Sequence, residues 1–187
     1  QGFPDSNGPA DVVEAAARAL VERSNQYPPM TGLPELREAV AAHYRRSQGL
    51  VLSPEEVVVT SGATEALAAA ILALVRPGDE VVLFQPLYDS YLPMVRQAGG
   101  VPKLVRLTPP DWRITAEALD AAFSERTRLV VLNTPLNPAA TLIGPDELAL
   151  IGQRVLASGA LLVSDEVWEN VIFDGLRHVS PMALPGL

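Results

Sequence analysis

Short apolar runs recur along this chain, and segments with helical patterning separate them. Val57-Val58-Val59, Val81-Val82-Leu83-Phe84, Leu129 to Leu132 and Leu161-Leu162-Val163 each read as a buried strand, and Val101 to Leu107 reads as another. Strands that alternate with helices imply a mostly parallel sheet covered by helices on both faces, a three-layer α/β domain.

The intervening segments carry clear helix signals. Val12, Val13, Ala16, Leu20 and Val21 fall at helical spacing between Asp11 and Arg23. A polar loop with Pro and Gly follows over residues 24–33. Pro34 opens the next helix, where its missing N–H costs nothing, and Gly49 closes it. Ala63 to Val75 is helical on propensity and length, and Arg76-Pro77-Gly78-Asp79 ends it. Further helices are expected from about Ser90 to Ala98, from a Thr115 cap to Phe123, and from Pro145 to Ala157.

The 187 residues are 48% hydrophobic, enough for one domain with a sizeable core. The longest apolar stretch, Ala66 to Val75, is shorter than the roughly 20 residues a membrane helix needs, so no membrane partner is expected. Net charge is −8, with no basic cluster beyond Arg45-Arg46, which argues against nucleic acid as a partner. The absence of cysteine removes disulfides and Cys metal sites and fits a cytoplasmic protein. His43 and His178 have no partners at metal spacing, so no metal site is expected. The chain opens without Met and stops at Pro185-Gly186-Leu187 in a loop-like segment, and we expect it to be part of a longer polypeptide.

Ligands of open α/β sheets sit beyond the carboxyl ends of the strands. Ser61 to Thr64, Tyr88, Asn133, Asn137 and Asp165 all fall just after an expected strand. In Thr60-Ser61-Gly62-Ala63-Thr64-Glu65 one glycine makes the turn and a helix begins. The unpaired N–H groups and positive dipole there suit a phosphate, with the Ser61 and Thr64 hydroxyls as added donors. A capping box is the plainer reading of the same residues. A Walker loop is excluded because no Gly-Lys pair follows, and a GxGxxG fingerprint is absent.

Asp165 either caps the next turn or holds a cation, and Glu166 is expected to be a solvated or structural neighbour. In Asn133-Thr134-Pro135-Leu136-Asn137-Pro138, two prolines restrict the backbone and make a rigid loop presenting Asn137. Its amide can donate to a phenolic oxygen on a cofactor ring, although Asn-Pro pairs also make plain surface turns. Tyr88 can stack on a planar ring or belong to the core. Tyr27 to Leu33 form a stiff loop ahead of a helix.

In their order and spacing these motifs resemble class I/II aminotransferases of fold type I. Gln1-Gly2-Phe3-Pro4-Asp5 and Ser164-Asp165-Glu166-Val167 are most similar to the kynurenine/glutamine and methionine aminotransferase branch. The resemblance covers essentially the whole chain and corresponds to the first half of such an enzyme. It implies pyridoxal 5'-phosphate as cofactor. Residues 1–10 would be an N-terminal segment lining the substrate pocket, through Gly2 and Phe3. Residues 11–187 would be a cofactor-binding large domain, truncated before the lysine that holds the cofactor.

Carried over by position, Gly62, Ala63 and Thr64 correspond to the phosphate-binding turn and Tyr88 to the residue stacked on the pyridine ring. Asn137 corresponds to the donor to the ring's 3′-oxygen, and Asp165 to the partner of the ring nitrogen. Tyr27 is similar to a tyrosine that reaches the cofactor phosphate of the neighbouring subunit, which implies a homodimer. Trp168 stands where the family has a tyrosine that also serves the 3′-oxygen, and an indole offers only an N–H donor. Ala139-Ala140 replaces the usual Thr-Gly.

The implied reaction moves an amino group between an amino acid and a 2-oxo acid. No catalytic residue is assigned within this chain. Its one lysine, Lys103, lies in an expected strand away from the ligand edge, so the Schiff-base lysine is expected beyond Leu187 and this chain alone is expected to be inactive. A carbon–sulfur β-lyase of the same fold would use the same residues. A non-catalytic, aminotransferase-like sensing domain is the reading from another class.

Overall fold

The computed structural model describes Asp5 and residues 7–187, so the expected pocket residues Gly2 and Phe3 lie outside the described residues. Helices α1 (Ala10–Glu22), α2 (Pro34–Gln48) and α3 (Gly62–Leu74) lead into strand β1 (Glu80–Gln85). Then come α4 (Tyr91–Gln97), β2 (Val101–Arg106), α5 (Ala116–Ala122), β3 (Thr127–Asn133), α6 (Pro145–Ser158) and β4 (Leu161–Asp165). The expected signals operate locally. Pro34 sits in the first turn of α2, Gly49 closes that helix at φ 71°, and the Thr115 hydroxyl accepts the Ala118 N–H at the start of α5.

The sheet is parallel throughout, in the order β2-β1-β3-β4. Alternate residues of each strand face opposite layers, the period-2 geometry of a strand. Val81 and Leu83 of β1 pack with Leu67 and Ile71 of α3 and Tyr91 and Val95 of α4. Val82 and Phe84 pack with Leu119 of α5 and Leu148, Ile151 and Val155 of α6. Helices therefore cover both faces, the three-layer arrangement expected from the alternating pattern.

Val57-Val58-Val59 departs from expectation. It is extended but joins no strand, and Val58 is 59% exposed rather than buried. A strand needs a hydrogen-bonding neighbour, and here the segment pairs only piecemeal. Val59 N–H donates to the Thr31 carbonyl, and Arg37 Nε donates to the Val57 carbonyl. Gly32 lets the preceding loop come close, because a Cβ at that position would overlap the Val59 side chain.

The amino end of the sheet is marked by a buried carboxylate. Glu80, the first residue of β1, is 1% exposed and accepts hydrogen bonds from Ser124 Oγ and an Arg126 guanidinium N, each at 2.6 Å. Lys103 Nζ lies 3.8 Å from the same carboxylate. The chain's one lysine is thus engaged at the end of the sheet opposite its carboxyl edge.

Candidate active site

The carboxyl edge collects Ala63, Thr64, Tyr88, Asn137, Asp165 and Trp168 of the residues that the sequence singled out. Asn133 and Asp165 are the last residues of β3 and β4 and sit directly across from one another in register. A cavity of about 210 Å³ opens above them, lined by Ala63, Thr64, Tyr88, Asn137, Asp165 and Trp168, with Leu67, Tyr91, Asn133 and Val167 completing the wall.

One wall is the start of α3. Ser61 is its N-cap residue, yet no side chain caps the helix. The expected capping box therefore does not form. Instead the Glu65 carboxylate takes the Ser61 N–H, and Thr60 Oγ1 donates to the Gly62 carbonyl. Gly62 has φ 78°, a left-handed conformation that glycine adopts without a Cβ penalty. Ala63 and Thr64 follow, exposed at a helix start that presents N–H groups and a positive dipole end to the cavity.

The opposite wall is the Asn137 loop, and Asn133 builds it. Its Oδ1 accepts the Asn137 N–H at 2.7 Å and its Nδ2 donates to the Asp165 carbonyl at 3.0 Å. Thr134 N–H donates to that same carbonyl at 3.1 Å. Asn133 thus acts as a brace between β4 and the loop. Leu136 and Thr141 close the loop with an antiparallel bridge, and Ala140 stands at φ 54°.

Asp165 is half-buried. Its Oδ1 accepts the Val167 N–H at 3.2 Å and its Oδ2 accepts the Tyr91 hydroxyl at 2.6 Å. Sequence reading did not single out Tyr91, which lies at the start of α4. Burial, then the Asp165 carboxylate it donates to, push the Tyr91 phenol well above its ordinary range. Its ring meets that of Tyr88 edge-on, with centroids 5.7 Å apart. Only its place three residues after Tyr88, at the first position of the expected helix, could have pointed to it.

Glu166 turns away from this cavity and is largely buried, not solvated. His178 Nε2 lies 2.7 Å from its Oε2, and Ser180 Oγ donates to its Oε1 at 2.9 Å. His43 Nε2 lies 2.8 Å from Glu169 Oε1. Each histidine thus pairs with a carboxylate, contacts that spacing in the sequence did not reveal. Glu166, Glu169 and His178 bring ligand atoms within 4.8 Å of one another. These contacts tie the segment after β4 to α2, and burial with the Glu166 and Glu169 charges pushes the Tyr44 phenol up.

Tyr27 stands apart. It is 98% exposed and lines none of the cavity within this chain. Trp168 is in place at the rim, shared between this cavity and an apolar neighbour of about 370 Å³ lined by Leu136, Leu142, Val171, Phe173 and others. Of these two, the smaller cavity is the chemical one, because it brings Asp165, Asn137 and Tyr88 together with Thr64 at the open start of α3.

Residues 2–184 match the family described as aminotransferase class I and II, and the chain belongs to that family. It is 45% identical over 188 residues to methionine aminotransferase of Escherichia coli (strain K12), covering 100% of this chain and 49% of that protein. It is 36% identical over 199 residues to kynurenine–oxoglutarate transaminase 3 of Rattus norvegicus, covering 44% of it. The solved structure of N-succinyldiaminopimelate aminotransferase from Mycobacterium tuberculosis superposes with a TM-score of 0.96 at 43% identity, covering all of this chain and 49% of that one. The chain spans about half the length of the curated relatives it matches. No helix among the described residues is long and apolar enough to cross a membrane.

Proposed function

We propose that this chain is the cofactor-holding part of a pyridoxal-phosphate-dependent aminotransferase acting on an amino acid and a 2-oxo acid. The observation that carries the reading is the convergence of four different kinds of group on one cavity. An uncapped helix start, a tyrosine ring, a loop amide and a carboxylate all line it. This set fits the cofactor's phosphate, ring face, phenolic oxygen and ring nitrogen in turn. The relatives' own names describe amino-group transfer, which favours this reading over a β-lyase or a sensing domain.

The start of α3 at Gly62, Ala63 and Thr64 would hold the phosphate, and Tyr88 would cover one ring face. Asn137 would donate to the 3′-oxygen, with Trp168 at the rim. Asp165 would keep a proton on the ring nitrogen, since an opposite charge at contact distance favours the charged form. When bound, pyridoxal phosphate supplies an electron sink for cleavage at the amino acid's Cα. Gly2 and Phe3 would line the substrate side. Tyr27, being fully exposed, is free to serve the cofactor of a second copy in a homodimer. A cytoplasmic setting is supported by the lack of cysteine.

The proton-shuttling lysine that holds the cofactor would lie beyond Leu187, and this chain alone would be inactive. Lys103 is occupied with Glu80 at the far end of the sheet. Borohydride treatment of the complete protein with pyridoxal phosphate, followed by peptide mapping, should label one lysine outside residues 1–187. Saturable, stoichiometric labelling of Lys103, or no saturable binding of cofactor, would overturn this reading.

A further inference from the structure

We propose that Tyr91 is the positioning residue of this site, holding the Asp165 carboxylate in the orientation that receives a cationic ring nitrogen. The inference rests on the aminotransferase reading and adds a residue that the reading did not include.

Tyr91 is 3% exposed and packs among the aliphatic side chains between α3, α4 and the sheet. Phenylalanine would fill that volume equally well, without burying a hydroxyl. A buried hydroxyl is tolerated where it is hydrogen-bonded. Its one side-chain partner among the described residues is Asp165 Oδ2, at 2.6 Å. A carboxylate torsion is otherwise broad, so an unheld Asp165 would rotate. Here the Tyr91 hydroxyl holds one oxygen and the Val167 N–H holds the other, and the carboxylate plane is set from both sides.

The same ring meets Tyr88 edge-on at 5.7 Å. Tyr91 therefore couples two surfaces that a planar ligand would touch, the aromatic platform and the charged end. A hydrogen bond to a charged group is among the stronger ones, and a short one is strongly directional. The residue needs no contact with the ligand to act, because it works through Asp165.

The test is a double-mutant cycle in the complete protein, with Tyr91→Phe, Asp165→Asn and both together. Three quantities are read: pyridoxal-phosphate affinity by equilibrium dialysis, the absorption band of the bound cofactor, and the melting midpoint without cofactor. Tyr91→Phe should weaken binding on the order of tenfold and shift the band, with the cofactor-free midpoint nearly unchanged. On the Asp165→Asn background it should add less than about twofold, because the two residues act as one unit.

Equal losses on both backgrounds, or no loss and no spectral shift with Asp165 intact, would refute the proposal while leaving the aminotransferase reading standing. Failure of the wild-type protein to bind the cofactor would instead remove that reading, and this inference with it. A ring-fluorinated tyrosine at position 91 keeps the size while strengthening the donor, and covers the case in which Tyr91→Phe does not fold. It should also move the absorption band, and an unmoved band would likewise refute the role.

Discussion

Asn133 fixes Asn137 through the backbone: its Oδ1 accepts the Asn137 N–H at 2.7 Å, while its Nδ2 reaches the Asp165 carbonyl. The amide proposed to serve the cofactor is thus positioned by a second amide that is almost fully buried. Asn133→Ala should leave the Asn137 N–H without this partner, while the Asp165 carbonyl keeps the Thr134 N–H, and cost about 1–3 kcal/mol of stability, measured by urea unfolding of the complete protein. It should also weaken pyridoxal-phosphate binding. Unchanged stability and affinity would deny the brace.

Asp165→Ala in the complete protein should abolish amino transfer while the secondary structure, followed by circular dichroism, is retained. Asn137→Ala should be milder, since one hydrogen bond to a charged group contributes about 1.5–3 kcal/mol. Steady-state kinetics of the two variants decide the ranking. An Asp165→Ala enzyme within a few fold of wild type would take the carboxylate out of the site.

Ala140 occupies a left-handed conformation, φ 54°, where a Cβ is unfavourable by about 1–2 kcal/mol. Glycine removes that strain but loses about 0.5–1 kcal/mol to chain entropy. Ala140→Gly should therefore stabilise the complete protein by roughly 0.5–1 kcal/mol, read as a higher melting midpoint. A lower midpoint would mean that the alanine methyl packs usefully.

Glu80 supplies a pH-dependent test. The Ser124 hydroxyl holds its carboxyl below the ordinary range, burial opposes this, and Arg126 and Lys103 add to the lowering. A depressed carboxyl contributes stability above its unfolded pKa, and that stability is lost as pH falls through the folded value. Glu80→Gln should thus lower the melting midpoint at neutral pH. The gap between variant and wild type should begin to narrow near about pH 4, where the unfolded carboxyl starts to protonate, and close as pH falls further through the lower folded value. A gap that stays constant with pH would remove the charge from the explanation.

Tyr27, 98% exposed, gives a test of assembly. Mixed dimers of a Tyr27→Phe chain and an Asp165→Ala chain should regain activity above either parent, because one of the two sites then receives both intact residues. Sedimentation checks that hybrids form. Mixed dimers with no gain over the Tyr27→Phe parent would place Tyr27 outside a shared site.

The strands that pair within this chain were legible because their apolar runs are complete in themselves. Val57-Val58-Val59 has the same composition, yet a strand is a relation between two segments, and composition does not reveal a missing neighbour. Asp165 and Asn137 were legible because polar residues shortly after apolar strands have few other reasons to be there, and the Gly62 turn because a glycine followed by a strong helix former marks a helix start. Tyr91 was not, since an aromatic among aliphatic residues looks like packing until its hydroxyl partner, 74 positions away, is known. Glu166 and His178 were hidden for a related reason. A charged residue and a loop histidine each look solvated until folding buries them together.

The strand order β2-β1-β3-β4 also has a meaning in time. During synthesis the N-terminal segments emerge first. β1 and β2 can pair early, and from then on the sheet grows in one direction only, by β3 and then β4. The helix start and the aromatic platform exist before Asn137 does, and Asp165 comes last. A growing chain therefore forms the open start of α3 long before its carboxylate, and Asp165 joins the cavity wall only at the final strand addition seen here.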